Sequence, residues 1–168
     1  RLRLFDLADG SDIRTVGVFG AGGGFRDVVA DRSSAYVADP STGVHVVDTV
    51  DPSSPVELAA VPVLDGALNL ARRGDHVYVL ARRLVGERPR QAAEYETALA
   101  TLDVSDPTHP LLVGTTERPG MQDIAVIGDN LAVADDRGLF IFDIATDPSR
   151  PRQIGHVGSS VSYAGYAF

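Results

Sequence analysis

Asp27, Asn69 and Asp123 stand at matching places in a sequence that repeats itself, each at the start of an apolar, β-type run. Polar groups converging on one opening could hold a cation or cap a ligand, which takes three or more oxygen ligands on one centre. The same placement suits a plainer role. A short polar side chain at a strand start accepts hydrogen bonds from backbone N–H groups and so ties neighbouring units together. A repeat reuses such a bond from copy to copy, which favours the plainer role. No metal or other cofactor is expected.

A second carboxylate set is Asp48, Asp103 and Asp143, followed by Asp51-Pro52, Asp106-Pro107 and Asp147-Pro148. Paired carboxylates do acid–base work, but Asp before Pro is foremost a turn: Asp bonds the backbone two residues on, and Pro fixes φ. Arg82–Glu96 is the basic exception in an acidic chain. It carries Arg82, Arg83, Arg88, Arg90 and the aromatic Tyr95. Arg forks carboxylates and phosphates, and loops on a rigid scaffold carry binding residues. The alternative is a solvated, disordered loop. Its last part, Gln91–Leu99, suits either a short helix or an extension of the next strand.

The other candidates are weaker. His45, His76, His109 and His156 lack metal-ligand spacing and read as surface or packing residues. Gly20–Gly24 fails the dinucleotide-binding pattern, because Phe25 stands where the last glycine belongs and a strand-like run follows. There is no G-x-S-x-G elbow and no cysteine, so no catalytic residue is assigned and disulfides are excluded.

The elements that must position these residues are short strands. Val44–Leu58 gives a β-branched run ending in Asp, then a Pro-rich turn and a second apolar run. The phrase returns at Leu99–Val113 and Leu139–Ile154, with a form lacking the prolines at Leu2–Val16. Tyr36 and Tyr78, Asp27 and Asn69, and Asp6 and Asp48 are each about 42 residues apart. Four strands per such period is the signature of a propeller blade. The expected fold is all-β, a segment of a β-propeller with four-stranded antiparallel blades. A partial blade covers 1–24, whole blades 25–66, 67–120 (with the insertion 82–96) and 121–162, and 163–168 begins another. Strands A to D run from the axis outward in each blade. Val46, Leu102 and Ile141 lie in equivalent inner strands and are expected to be buried. The partial end blades are expected to be completed by further blades, from a longer chain or from other copies.

Tyr36–Asp39, Val44–Asp48, Leu102–Pro107 and Leu139–Ile144, with Asp123–Val126 and Leu112–Gly114, resemble the LVIVD-repeat family. Its members are bacterial and archaeal β-propeller proteins, often exported. Arg82 departs from the pattern where the second strand should end in Asp, and the opening copy lacks the proline pair. The resemblance implies no agreed enzymatic activity. It implies a non-enzymatic interaction or scaffold module with a protein partner, in an extracellular, periplasmic or cell-surface setting. The alternatives are a hydrolase- or lyase-like enzyme with its site at the channel mouth, formed by Asp27, Asn69 and Asp123, and a structural subunit of a surface assembly. The net charge of −8 repels phosphate backbones, so nucleic acid is not an expected partner. No stretch is apolar for long enough to cross a membrane as a helix.

Overall fold

The structure is a computed structural model that describes residues 1–8, 12–20, 24–86 and 94–158. Its strands fall into four successive antiparallel sheets. Blade 1 has β1 (Leu2–Asp6) and β2 (Arg14–Phe19). Blade 2 has β3 (Asp27–Ala30), β4 (Ser34–Asp39), β5 (Gly43–Asp48) and β6 (Val56–Val61). Blade 3 has β7 (Ala67–Arg73), β8 (His76–Gly86), β9 (Glu94–Asp103) and β10 (Leu111–Glu117). Blade 4 has β11 (Met121–Ile127), β12 (Asn130–Asp135), β13 (Gly138–Asp143) and β14 (Arg152–Gly158). Each whole blade pairs its strands in chain order, and β3, β7 and β11 adjoin one another at the inner edge. This is the arrangement of a β-propeller segment, and no helix occurs among the described residues. The start of a further blade at 163–168 lies outside the described residues.

Local chemistry sets the turns. Asp48, Asp103 and Asp143 each accept the backbone N–H two residues on, from Val50, Ser105 and Ala145, at 2.8–2.9 Å. Asp51, Asp106 and Asp147 do the same for Ser53, Thr108 and Ser149 at 2.9–3.0 Å, and each also takes that residue's hydroxyl. The intervening prolines supply no N–H and stand between strands, where none is needed.

The core lies between sheets rather than within them. Period-two alternation points β4 in both directions. Ala35 and Val37 meet Leu2, Phe19 and Phe25 on the blade 1 side. Tyr36 and Ala38, with Val44 and Val46, meet Leu70, Val77, Val79 and Leu102 of blade 3. Tyr78, Leu80 and Leu99 then meet Ile124, Leu131, Val133 and Phe142 of blade 4. Each such side chain, fully buried, contributes about 1.5–3 kcal/mol. Burial also pushes the Tyr78 hydroxyl pKa up to about 12, and that hydroxyl has no hydrogen-bond partner among the described residues.

Of the three residues expected to be buried in equivalent strands, Val46 and Leu102 are buried, and they face opposite ways. Tyr36 pairs with Val46 and Tyr78 with Thr101, so Leu102 is one register step away and faces back toward blade 2. Ile141, the true counterpart of Val46, is only half-buried, because no described sheet lies beyond blade 4. In the Arg82–Glu96 insertion, of the two forms open to Gln91–Leu99, the described residues from Glu94 on take the extension of the next strand rather than the helix. β8 and β9 simply lengthen, staying paired from His76–Asp103 out to Gly86–Glu94.

Alternating strand direction sorts the turns onto two rims. The links from an outer strand to the next inner strand share the upper rim with the β4–β5, β8–β9 and β12–β13 turns. The Asp-Pro turns lie on the lower rim, where those of blades 2 and 4 press against the sheet before them. A Cβ on Gly17 of β2 would stand 1.8 Å from the Pro52 carbonyl oxygen, and one on Gly114 of β10 would stand 2.2 Å from that of Ser149. Backbone cannot yield as a side-chain tip can, so Gly114→Val should cost about 1–3 kcal/mol of stability. Urea unfolding checks this: a midpoint equal to that of the parent would show that the turn does not seat there.

Candidate functional site

The structure brings the sequence-predicted arc together and gives it a definite chemistry. Asp27 opens β3 and splits its two oxygens between blades. Oδ1 accepts Val28 N–H at 2.8 Å, and Oδ2 accepts Leu70 N–H of the next blade at 2.7 Å. Asn69 donates its amide to Asp123 Oδ1 at 3.2 Å, and that oxygen also accepts Ile124 N–H at 2.9 Å. The three side chains are thus successive rivets along the inner edge. Among the described residues, no cluster of three or more acidic or imidazole groups could hold a metal ion.

The basic insertion stands on the same upper rim, as the outward continuation of β8 and β9. Arg82 donates Nε–H to the Asp65 carbonyl at 2.8 Å, and its guanidinium lies over the Tyr95 ring, 4.5 Å from the centroid. The Asp65 carboxylate accepts Leu84 N–H at 2.7 Å, which fixes the base of the hairpin. Arg83 pairs with Glu117 of β10. Both partners are well exposed, so that pair contributes only about 0–1 kcal/mol. Arg88 and Arg90 lie outside the described residues.

Sequence reasoning missed two constellations, because turn length and register rather than spacing assemble them. At the upper rim of blade 2, His45 is bonded through both ring nitrogens. Nε2 lies 2.8 Å from Thr42 Oγ1, and Nδ1 lies 2.6 Å from Glu57 Oε1 on the adjacent strand. The Glu57 carboxylate only accepts, so Nδ1 carries the proton, and a neutral ring then accepts the Thr42 hydroxyl at Nε2. Phe25 packs on this imidazole with ring centroids 5.5 Å apart. The second constellation centres on Arg118, between blades 3 and 4. Its guanidinium reaches Asp135 Oδ2 at 3.2 Å and Gln153 Oε1 at 3.2 Å, and lies over Phe140 at 3.5 Å. Burial works to raise the pKa of Asp135. The Arg137 N–H and the Arg118 and Arg137 charges outweigh it and hold the carboxyl below its ordinary value.

The lower-rim carboxylates are committed to their turns. The Thr108 hydroxyl and N–H, with His109 beside them, bring Asp106 down to about 2. Asp51 and Asp147 are lowered in the same way by the hydroxyls of Ser53 and Ser149. A carboxylate held this way is a weak base, poorly suited to proton transfer near neutral pH.

Comparisons with known proteins agree with this geometry. A family model described as the LVIVD repeat matches residues 22–62, 93–117 and 120–158. The gap from 63 to 92 covers β7, β8 and the start of the insertion, where blade 3 departs from its own template. Among solved structures, one chain of the crystal structure of a nidogen/laminin complex matches with a TM-score of 0.57 and 15% identity over 89% of this chain. The matched part is 52% of that chain, so the present chain spans about half its length. No curated protein sequence matches.

Removing an interblade rivet should be felt in stability. Asp27→Ala leaves the buried Leu70 N–H without an acceptor, at about 1–3 kcal/mol, whereas Asp27→Asn keeps one acceptor oxygen and should recover part of the loss. Denaturant midpoints of the two variants check the order, and an unchanged midpoint for Asp27→Ala would remove the rivet role.

Proposed function

The chain belongs to the LVIVD-repeat family, and from that premise we propose that it is a non-enzymatic propeller module, a rigid platform that engages a protein partner at its upper rim. One observation carries this reading. The repeat breaks its own template in one blade, and there it sends a paired hairpin beyond the rim instead of a tight turn. Arg82 and Tyr95 support each other on that hairpin, so little side-chain entropy is lost when a partner is met. Arginine forks and aromatic faces are the side chains that anchor interfaces. The chemistry suits an acidic, carboxylate-bearing protein surface, and Arg88 and Arg90 add charge of the same sign to the segment. An extracellular, periplasmic or cell-surface setting belongs to the same reading and rests on the family. Cell fractionation distinguishes it from a cytoplasmic one.

Replacing Leu84–Tyr95 by an Asn-Gly turn should leave the melting temperature within a few degrees of the parent. It should abolish the discrete partner that a photo-cross-linker at position 95 captures in producing cells, assayed with a second cross-linker on β9. Capture that persists after the replacement would overturn the reading.

A hydrolytic reading has one observation in its favour. Thr42, His45 and Glu57 present a hydroxyl, an imidazole and a carboxylate in the order in which a base activates a nucleophile and is itself oriented. This site stands on the upper rim of blade 2, not at the channel mouth, where Asp27, Asn69 and Asp123 are taken up by interblade bonds. Turnover of a nitrophenyl ester that disappears in Thr42→Ala, with the melting temperature kept, would establish it. A parent protein without turnover would end it.

A further inference from the structure

Above the rim, the β8–β9 hairpin has a backbone edge whose direction follows from the bonds at its base. Arg82 N–H donates to the Gly66 carbonyl at 2.9 Å, and the Arg82 carbonyl accepts Asp65 N–H at 3.0 Å. Leu84 N–H donates to Asp65 Oδ2 at 2.7 Å. Arg82 and Leu84 therefore turn their backbone groups inward, away from β9. Opposed residues of an antiparallel pair either exchange their bonds or both point away. Thr97 stands opposite Arg82 and Tyr95 opposite Leu84, with no slip between them. Tyr95 and Thr97 thus turn N–H and C=O to the outer side of the sheet.

Lower in the blade β10 takes up that side, but its last pair is Glu117 with Ala98. The chain then leaves the edge. The Thr97 hydroxyl donates to the Arg118 carbonyl at 3.1 Å and accepts Met121 N–H at 2.9 Å, which draws the link to blade 4 across the face of β9 instead of along its side. The outward N–H and C=O of Tyr95 and Thr97 are left without a backbone partner among the described residues. Glu94, Tyr95 and Glu96 are all exposed around them.

The side chains say which strand fits this edge. Glu94 and Glu96 share one face by alternation. Antiparallel pairing with a second copy would set these carboxylates of the two chains opposite one another, and like charges oppose that. Tyr95 occupies the other face, beneath the Arg82 guanidinium. Arg82 spends its Nε–H on the Asp65 carbonyl, and its terminal nitrogens have no hydrogen-bond partner among the described residues. An acidic side chain on the Tyr95 face of an added strand meets Arg82, whereas one on the opposite face meets Glu94 and Glu96.

We propose that the partner binds by adding a strand: an extended segment pairs with β9 at Tyr95 and Thr97 and carries acidic side chains on alternate residues, all turned toward Arg82. This rests on the hairpin as the partner-binding element and adds how it binds and what it selects. Main-chain bonds supply the affinity, and the alternation of acidic residues supplies the selectivity.

The probe is a phage-displayed library of random peptides of about twelve residues, long enough to add a strand. It is selected on the parent chain and counter-selected on the chain with an Asn-Gly turn in place of Leu84–Tyr95. Enriched peptides should carry Asp or Glu at every second position. Added at saturation, they should slow amide hydrogen exchange at Tyr95 and Thr97 about tenfold or more. Exchange at Glu96, already paired with Arg83 in the β8–β9 ladder, should stay unchanged. A scrambled peptide with its acidic residues adjacent should bind about tenfold more weakly. Hairpin-dependent peptides that leave Tyr95 and Thr97 exchange unchanged would overturn strand addition while leaving the hairpin as the partner site. A selection that yields no hairpin-dependent peptide would also overturn it, and the cross-linking capture then decides the platform reading separately. So would a parent of doubled mass in sedimentation whose Tyr95 and Thr97 amides already exchange slowly, since a second copy would then occupy the edge.

Discussion

Every sheet in this protein stabilises its neighbour more than itself. A four-stranded antiparallel sheet of this width has little apolar area to bury alone, and its two faces become core only when sheets stand on either side. Tyr36, Val46 and Leu102 lie in one seam and Tyr78, Leu131 and Phe142 in the next. The polar contacts follow the same logic. The bond from Asp27 to Leu70 N–H, that from Asn69 to Asp123, the ion pair of Arg72 with Asp31 at 2.8 Å, and the pairing of Arg73 with Asp129 all cross from one blade to the next. Upper and lower rims are thus pinned along the same seams that the apolar residues fill, which fixes both the spacing and the tilt of the sheets.

The repeat made the architecture legible in the sequence. Matching Tyr36 with Tyr78 and Asp27 with Asn69 gives the period. Asp before Pro gives the turns, and strand propensity gives the elements to within a few residues. Which apolar residue of a strand faces which neighbour turns on a single step. Val46 and Leu102 look alike in a string, but Val46 stands two residues before Asp48 and Leu102 one before Asp103, and with those two Asp residues in the same register one step turns a side chain to the opposite face. The length of the β8–β9 hairpin was also hidden. Arg82 and Arg83 look like loop residues, and only pairing with Thr97 and Glu96 makes them strand.

At the candidate site the sequence conveyed the residue types but not their partners. Asp27, Asn69 and Asp123 lie along the inner edge, and interblade bonding was one of two readings that composition could not separate. Thr42, His45 and Glu57 were not recognisable as a set, because a tight turn and a cross-strand pairing bring them together over a separation that no linear motif encodes. Arg118 was silent for a related reason. A lone arginine before a proline carries no pattern, yet its guanidinium joins Asp135, Gln153 and the Phe140 ring.

The pairing of the two outermost strands slips by one residue in all four blades, between Leu4 and Phe5, Val46 and Val47, Leu112 and Gly114, and Ile141 and Phe142. That slip bends and twists the perimeter strand, so its unpaired N–H and C=O groups do not form the straight ladder that cross-β growth requires. Leu111, Leu112 and Val113 run consecutively on such a perimeter and are all exposed, a stretch that on a flat strand would recruit its own kind into fibrils. The repeated irregularity is therefore a safeguard against self-templating, present in every copy because every copy has a perimeter to protect.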